Sequence, residues 1–466
     1  MQAPGHVDLA FRHACLAHTQ EAVDILIHDR RIASIVKSAQ TRGLVEIDAQ
    51  AGLVTSGLME PHIHFDKALT GDRVPTECLG DLRTRRGLEI AIEVARNIKR
   101  AFTVEDVRKR AIRAALMASR AETTALRTHV DVDSIVSLTG IRGVLEAREV
   151  CAGWIDIQIV AFPQKGIFRS VGAQHLMRQA IKLGADAVGG APSLDDRPQD
   201  HVRAVFDLAS EFGLPGDMHV DESDWREDFT LPLVIEAARQ RRVPNVTVAH
   251  ISSLSVQIDD VARSTIAAPA ETEVHVVVNP IIVKFTRLRA LLDAGISVIF
   301  GSDNLRDPFY TLGAANPLES ALFACQIAAL GTPQDIRRVF DAVSSNAARM
   351  LSFTSLLGVA EGPWRILLYS RRRHTRGSCP GSTASVIRAQ GGISLPLDWL
   401  VNQRHPMINY HLLILCKRVS VTYKRVLNGR HHVNAETSAR GQSGNRFLTM
   451  NEESACLRSH PNSVMN

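Results

Sequence analysis

Four short β-rich runs of the sequence end in a histidine or an aspartate, residues that can bind a metal ion. The first run contains His62-Ile63-His64, and side chains two residues apart on a strand point to the same side. His62 and His64 can therefore face one ion, and imidazole is a common ligand for zinc and iron. Because an H-x-H pair alone is more often structural, the prediction depends on the other three runs.

The other three runs place the same residue types at the same point. One run ends at His219 and is followed by Glu222, the next ends at His250, and the last leads into Asp303. Together the four runs supply four imidazoles and a carboxylate, which predicts a metal site. The residues alone do not decide which side chains are ligands, and they leave Glu222 without a role.

Such a site requires a fold that brings distant strand ends together. From Leu58 onward, β-rich runs alternate with amphipathic helical segments, and two late helical segments follow the last run. This order predicts a (β/α)8 barrel of the α/β class, in which functional residues lie at the C-terminal ends of the strands. The eight runs lie near residues 58–65, 124–131, 155–161, 186–190, 215–220, 245–250, 274–279 and 296–302.

The segment before the barrel has a different pattern. Residues 23–27 and 32–36 flank a polar stretch, which is typical of a β-hairpin, and residues 43–48 predict a further strand. A segment of this size is too small to bury a full core alone. We therefore expect it to pack against another part of the chain.

Composition excludes several classes of protein. The chain has 466 residues, of which 45% are apolar and 22% charged, as in globular proteins. No apolar stretch is long enough to span a membrane, and residues 1–12 contain no apolar run of signal-peptide length, so we expect a cytoplasmic location. The seven cysteines are scattered and form no C-x-x-C, which argues against a disulfide framework or a cysteine-rich zinc site.

Six stretches carry a resemblance to a known family. They are GLMEPHIHFDK (57–67), RTHVDVD (127–133), WIDIQIVAFPQKG (154–166), DMHVDE (217–222), TVAH (247–250) and FGSDNLRDP (300–308). In this order they resemble the amidohydrolase superfamily, specifically the branch that contains cytosine deaminase and N-isopropylammelide aminohydrolase. The resemblance covers about residues 7–362 and implies a metal-bearing barrel with a small β-sandwich built from both chain ends.

The resemblance implies three parts of the chain and one bound metal ion. Residues 1–57 are predicted to belong to the small β-sandwich, residues 58–355 to the barrel, and residues 356–466 to a basic tail. One divalent ion, Zn²⁺ or Fe²⁺, is expected to activate a water molecule as the nucleophile. The ligands implied by the matching motifs are His62, His64, His219 and Asp303.

The resemblance also implies roles for the residues around the ion. Glu222 would move protons as the general acid–base, His250 would orient the nucleophile, and Asp303 would take the proton of the water. Gln164 would hydrogen-bond the amide edge of the substrate. Asn304 stands where the cytosine enzymes carry a second aspartate, so it would read a different substituent, because an amide both donates and accepts.

The sequence therefore predicts a metal-dependent hydrolase that cleaves an exocyclic C–N bond of a cytosine-like or triazine-like heterocycle. Two alternatives stay open, a cyclic-amide hydrolase of the same superfamily and an inactive product with a damaged C-terminus. The H-x-E and P-C-x-x-C pattern of the unrelated zinc deaminases is absent from the sequence. We expect a small-molecule substrate, no nucleic-acid or membrane partner, and leave a homo-oligomer open.

The composition of the tail is the reason for keeping the alternative of an inactive product. Residues 363–466 contain 15 Lys and Arg against 4 Asp and Glu, whereas the rest of the chain is mildly acidic. Family members continue after a phrase like GVAEG (358–362) with an Ala-Asp-Leu-Val-type strand, but PWRIL follows here. Codons for PWRIL, shifted by one base, can encode Ala-Met-Ala-Asp-Leu. We therefore predict a frameshift near Gly362, which would leave the small domain without its C-terminal strands.

Overall fold

The computed structural model describes residues 6–16, 21–29, 31–76, 84–241, 243–280, 284–353, 362–363 and 367–370. The predicted basic tail lies outside the described residues apart from the last two short segments. The junction between the seventh and eighth β-rich runs is described only in part, because residues 281–283 lie outside the described residues.

The N-terminal residues form a mixed β-sheet. Its first strands are β1 (His6–Leu16), β2 (Ala22–His28), β3 (Arg31–Val36), β4 (Arg42–Asp48) and β5 (Leu53–Ser56). β2 and β3 form the predicted antiparallel hairpin, and β1 runs antiparallel to β2 but parallel to β4 and β5. Apolar side chains of β1 and β2, among them Leu9, Phe11 and Ile25, are buried in a core of their own.

Eight parallel strands follow, and they form the predicted barrel. They are β6 (Leu58–Ile63), β7 (Thr123–Asp131), β8 (Asp156–Phe162), β9 (Ala187–Gly190), β10 (Gly216–Val220), β11 (Thr247–His250), β12 (His275–Val278) and β13 (Val298–Phe300). Each strand pairs with its successor in the chain. Nearly all of their residues are buried, as expected for a parallel sheet with helices outside it.

Helices surround the barrel strands, so the (β/α)8 prediction is confirmed. α2 shows why the helices form, since it buries Val107, Ala111, Ala114 and Ala118 along one stripe, and the hydroxyl of Thr103 accepts a hydrogen bond at its start. The helices are α1 (Arg85–Lys99), α2 (Val104–Arg120), α3 (Thr139–Cys151), α4 (Ala173–Leu183), α5 (Pro198–Phe212), α6 (Leu231–Gln240), α7 (Asp259–Thr272), α8 (Leu288–Asp293), α9 (Pro317–Ile327), α10 (Pro333–Ala342) and α11 (Ser345–Met350).

Two short strands near the C-terminus join the N-terminal sheet. β14 (Gly362–Pro363) pairs antiparallel with β3, and β15 (Leu367–Ser370) pairs antiparallel with β5. This differs from the expectation that the small domain lacks C-terminal strands. Ladder hydrogen bonds come from the backbone, so an extended segment of a different sequence can still occupy an open sheet edge. The frameshift itself stays a prediction.

A buried polar network fills the barrel interior below the strand ends. The guanidinium of Arg127 donates to Asp217 (2.8 Å) and to the side-chain oxygen of Gln158 (3.0 Å). The amide of Gln158 donates in turn to the carbonyl of Leu351, just after α11 (2.8 Å). The network therefore ties three barrel strands, β7, β8 and β10, to the end of α11 without leaving the Arg127 charge unpaired. Among the described helices, none combines the length and apolar character needed to cross a bilayer.

Gly301 allows a close approach between β13 and β6, and this predicts a stability effect. A Cβ at Gly301 would lie 2.8 Å from the Cβ of His62 and 3.1 Å from its carbonyl oxygen. We expect Gly301→Ala to lower the free energy of unfolding by about 1–3 kcal/mol, measured by urea denaturation. Gly331→Ala, where no atom lies within 4 Å of the new Cβ, is the control and should change it by less than about 0.5 kcal/mol. Equal stabilities of the two variants would contradict the steric account.

Glu122, between α2 and β7, predicts a pH effect on stability. Burial raises the pKa of its carboxyl from 4.5 to about 7. The folded protein therefore binds more protons than the unfolded chain between these values, so this carboxyl destabilises the fold as the pH rises from 4.5 to 7. We expect Glu122→Gln to stabilise the protein by about 1 kcal/mol at pH 7.5 and to have no such effect near pH 4. A pH-independent difference in urea unfolding would count against this explanation.

Candidate metal centre

The four side chains predicted as metal ligands meet at the C-terminal end of the barrel. His62 lies on β6 and His64 directly after it, His219 lies on β10, and Asp303 follows β13. All four are buried, and their ligand atoms lie within 4.8 Å of one another. The barrel brings them together because the C-terminal ends of parallel strands share one rim.

Short distances connect the members of this cluster. The Nε2 atoms of His64 and His219 are 3.1 Å apart. The Oδ1 atom of Asp303 is 3.2 Å from Nε2 of His64 and 3.6 Å from Nε2 of His62. Four donor atoms thus converge on one point from three strands.

Unpaired polar atoms indicate that the cluster fits a cation. Both ring nitrogens of His62 and both carboxylate oxygens of Asp303 are buried without a hydrogen-bond partner among the described residues. Leaving such groups unpaired costs several kcal/mol when one of them is charged. A divalent ion would satisfy them, and three imidazoles with one carboxylate are a donor set that zinc and iron accept.

The protonation states also suit a metal. Burial lowers the pKa of His64 and of His219 well below the usual range, so both imidazoles are neutral, which is the form that binds a metal. Burial alone would raise the pKa of Asp303, but the adjacent His62 and His64 outweigh it, and the pKa falls well below its usual value. The carboxylate is therefore ionised.

Glu222 and His250 lie beside the cluster. Nδ1 of His250 is 4.0 Å from Asp303, and its Nε2 is 4.0 Å from the carboxylate of Glu222. Burial lowers the pKa of His250 to about 3, so its imidazole is neutral. Burial, together with the negative charge of Asp303, raises the pKa of Glu222 well above its usual value. Glu222 can therefore hold a proton at neutral pH.

Several rim residues have an unusual backbone conformation. Asp221, His250 and Asp303 have φ angles of 58°, 71° and 63°, in the left-handed region that non-glycine residues rarely adopt. Each of them stands where a barrel strand ends. Such strain is concentrated at functional sites in proteins, so these angles support a functional rim.

The two predicted substrate-binding residues lie on two non-adjacent loops of the same rim, after β8 and after β13. Gln164 follows β8, and its Oε1 atom is buried without a partner among the described residues. The amide nitrogen of Asn304 donates to the carboxylate of Asp307 (2.8 Å). Since a carboxylate accepts only from the NH2 side of an amide, this bond fixes the orientation of Asn304 and leaves its carbonyl oxygen for another partner.

Sequence reasoning missed a set of buried charges behind His64. The ammonium of Lys67 donates to Asp131 (2.8 Å) and lies 3.1 Å from Nδ1 of His64. Lys99 donates to Asp131 (2.7 Å) and to Asp133 (2.8 Å). The motif RTHVDVD offered a signal, because alternate residues of a strand share a side and both aspartates belong to it.

His129 lies next to the cluster but has a partner of its own. Its Nε2 atom is 3.2 Å from Asp217, and its ring centroid is 4.1 Å from that of His62. Burial lowers its pKa to about 4. His129, Asp217 and His62 also bring donor atoms within 4.8 Å of one another, but His129 is not among the four side chains of the predicted site.

The fold and the rim agree with a known class of enzymes. Residues 45–364 match the model of the amidohydrolase family, so the chain belongs to this family. The predicted family and the predicted enzyme class, a hydrolase of carbon–nitrogen bonds, are confirmed.

Three relatives show which branch of the family is similar. The chain is 28% identical to N-isopropylammelide isopropyl amidohydrolase of Pseudomonas sp. (strain ADP), over 76% of this chain and 89% of the relative. It is 28% identical to a pterin deaminase of Rhizobium rhizogenes, over 78% and 86%. The structure is similar to that of 5-methylcytosine deaminase from Klebsiella pneumoniae liganded with 5-fluorocytosine, with a TM-score of 0.72, 30% identity, and coverage of 77% and 90%.

The cluster predicts the metal content of the purified protein. We expect about one divalent ion per chain by elemental mass spectrometry, and loss of the ion when His62→Ala and Asp303→Ala are combined, because half of the donor set is removed. His175→Ala, at an exposed position on α4, is the control and should keep the ion. Folded wild-type protein that takes up neither zinc nor iron would refute the site.

Proposed function

We propose that this chain is a metal-dependent hydrolase that removes an exocyclic amino or alkylamino group from a nitrogen heterocycle. The observation that carries the proposal is the buried cluster of His62, His64, His219 and Asp303, with Glu222 beside it. Three named relatives act on an ammelide, a pterin and 5-methylcytosine, all small nitrogen heterocycles. We place the substrate among cytosine-like pyrimidines and triazines.

Four side chains would hold the metal, and the donor set is compatible with either zinc or iron. A divalent ion bound there supplies Lewis-acid activation of water at neutral pH. Asp303 is ionised and has unpaired oxygens, so it would take up the proton that the attacking water releases. Its neighbours His62 and His64 keep it ionised.

Glu222 and His250 would carry out the proton transfer and the orientation of the nucleophile. Glu222 holds a proton because of its raised pKa, so it can donate this proton to a ring nitrogen. The proton that Asp303 took from the water would then pass to Glu222 and from there to the departing amine. The hydroxyl proton of the adduct would restore the protonated Glu222 as the carbonyl forms. His250 is neutral and lies 4.0 Å from both Glu222 and Asp303. It can therefore hydrogen-bond to the water between the two carboxyl groups and direct it at the ring carbon.

Gln164 and Asn304 would recognise the substrate. The Oε1 atom of Gln164 has no partner among the described residues. The amide nitrogen of Asn304 already donates to Asp307, which leaves its carbonyl oxygen for a substrate. Carbonyl oxygens accept hydrogen bonds, so they favour a ring that presents N–H groups, as oxo-substituted pyrimidines and triazines do. A buried acceptor left unpaired would discriminate against rings without such a group.

Substitution of Glu222 tests the proposed chemistry. With a panel of cytosine, an ammelide and a pterin as substrates, we expect release of ammonia or amine without ring opening. Glu222→Gln should lower kcat/KM about 10²–10⁴-fold with the metal content unchanged, because the amide cannot transfer the proton. Glu227→Gln, at an exposed position of the same loop, is the matched control and should leave kcat/KM unchanged.

Product analysis by mass spectrometry decides between this reaction and the alternatives. A ring-opened product would replace the deamination proposal with cyclic-amide hydrolysis. Metal-loaded protein without turnover on the whole panel would favour the inactive product.

A further inference from the structure

The barrel closes with very little backbone pairing. β6 and β13, the first and last strands, share a single parallel bridge between Ile63 and Asp303, where the Asp303 amide donates to the His62 carbonyl (2.8 Å). Every other neighbouring pair of described barrel strands shares at least two paired positions. We call this junction of β6 and β13 the seam. Further along it, the amide of Met59 donates to the carbonyl of Val343, just before α11, and not to β13.

A buried carboxylate bridges this seam. One oxygen of Glu60, on β6, accepts hydrogen bonds from the backbone amides of His62 (3.1 Å) and Ser302 (2.9 Å). The other oxygen bonds to the hydroxyl of Ser302. Glu60 is completely buried, so these bonds are not in competition with water. One side chain therefore holds both strands where the backbone ladder is interrupted.

The two segments joined by Glu60, β6 and the residues that follow β13, each carry a residue of the candidate metal centre. His62 itself donates to Glu60, and Ser302 directly precedes Asp303. The Nε2 atom of His62 and the Oδ1 atom of Asp303 are 3.6 Å apart. Metal–ligand distances vary by only about 0.2 Å, so the two ligands must be held at a fixed separation. A seam with one backbone bridge needs an additional contact to hold them there.

We propose that Glu60 is a positioning residue that sets the spacing between His62 and Asp303. This inference rests on the proposed metal-dependent function, and it goes beyond it by assigning a role to a residue that contacts neither ion nor substrate. The sequence motif GLMEPHIHFDK contains Glu60 two residues before His62, on the same side of the strand.

A second buried carboxylate provides a matched comparison. Asp24, on β2, accepts from the backbone amides of His13 (3.0 Å) and Ala39 (3.0 Å) and from the guanidinium of Arg12 (3.1 Å). Like Glu60 it has two backbone donors, so its removal leaves comparable groups unpaired. It belongs to the N-terminal sheet and does not contact the cluster of metal-binding side chains.

The experiment measures the affinity for zinc by competition with a chromogenic chelator. We expect Glu60→Ala to weaken zinc binding about 10–100-fold, because the donors of His62 and Ser302 lose their acceptor. Glu60→Gln should restore binding to near the wild-type value, since its carbonyl accepts from both amides and its NH2 group can donate to the Ser302 hydroxyl. Asp24→Ala should destabilise the protein to urea but keep the wild-type zinc affinity.

Each outcome bears on one of the two proposals. Wild-type protein that binds no zinc in this assay and takes up no iron would refute the metal centre itself. Glu60→Ala with wild-type affinity, or Glu60→Gln as weak as Glu60→Ala, would refute the positioning role alone. If Glu60→Ala does not fold, Ser302→Ala decides, because it removes only the hydroxyl; we expect zinc binding about three- to tenfold weaker, and unchanged affinity would overturn the inference.

Discussion

The closure of eight parallel strands into a ring is the constraint on which this structure depends. It directs the C-terminal ends of all strands to one rim, and it forces β6 to meet β13 although nearly 240 residues separate them. His62 and Asp303 lie on either side of that junction and are joined by a backbone hydrogen bond of 2.8 Å. The donor cluster is therefore a direct product of barrel closure, and both depend on the same few contacts.

The two carboxyl groups of this rim are both desolvated but have opposite protonation states. Asp303 is ionised because two imidazoles stabilise its charge, whereas Glu222 is largely desolvated near that charge and its pKa is raised. Two carboxyl groups in one small space thus differ in protonation because their neighbours differ. The neutral imidazole of His250 lies between them, 4.0 Å from each. The arrangement thus places an ionised carboxylate and a protonated carboxyl group on the two sides of one imidazole.

The sequence predicted the barrel because buried parallel strands produce apolar runs of regular length, and it predicted the rim residues because they interrupt those runs. It could not predict Lys67 and Lys99, because charged residues are ordinarily exposed and only the packing shows that they neutralise Asp131. Glu60 lies inside the same motif as His62, but its role depends on Ser302, 242 residues away. The periodicity of a sequence does not reveal contacts between strands that are remote along the chain.

The left-handed residues at the rim restrict how this sequence can diverge. Asp221, His250 and Asp303 occupy a backbone conformation in which a β-branched side chain is strained. The backbone therefore limits which residue types can replace these three, even before any requirement of chemistry is considered. Gln164 and Asn304 do not have such angles among the described residues. A lineage could exchange these two at little cost to the backbone. Under the proposed roles, substrate specificity could therefore change while the metal centre is retained.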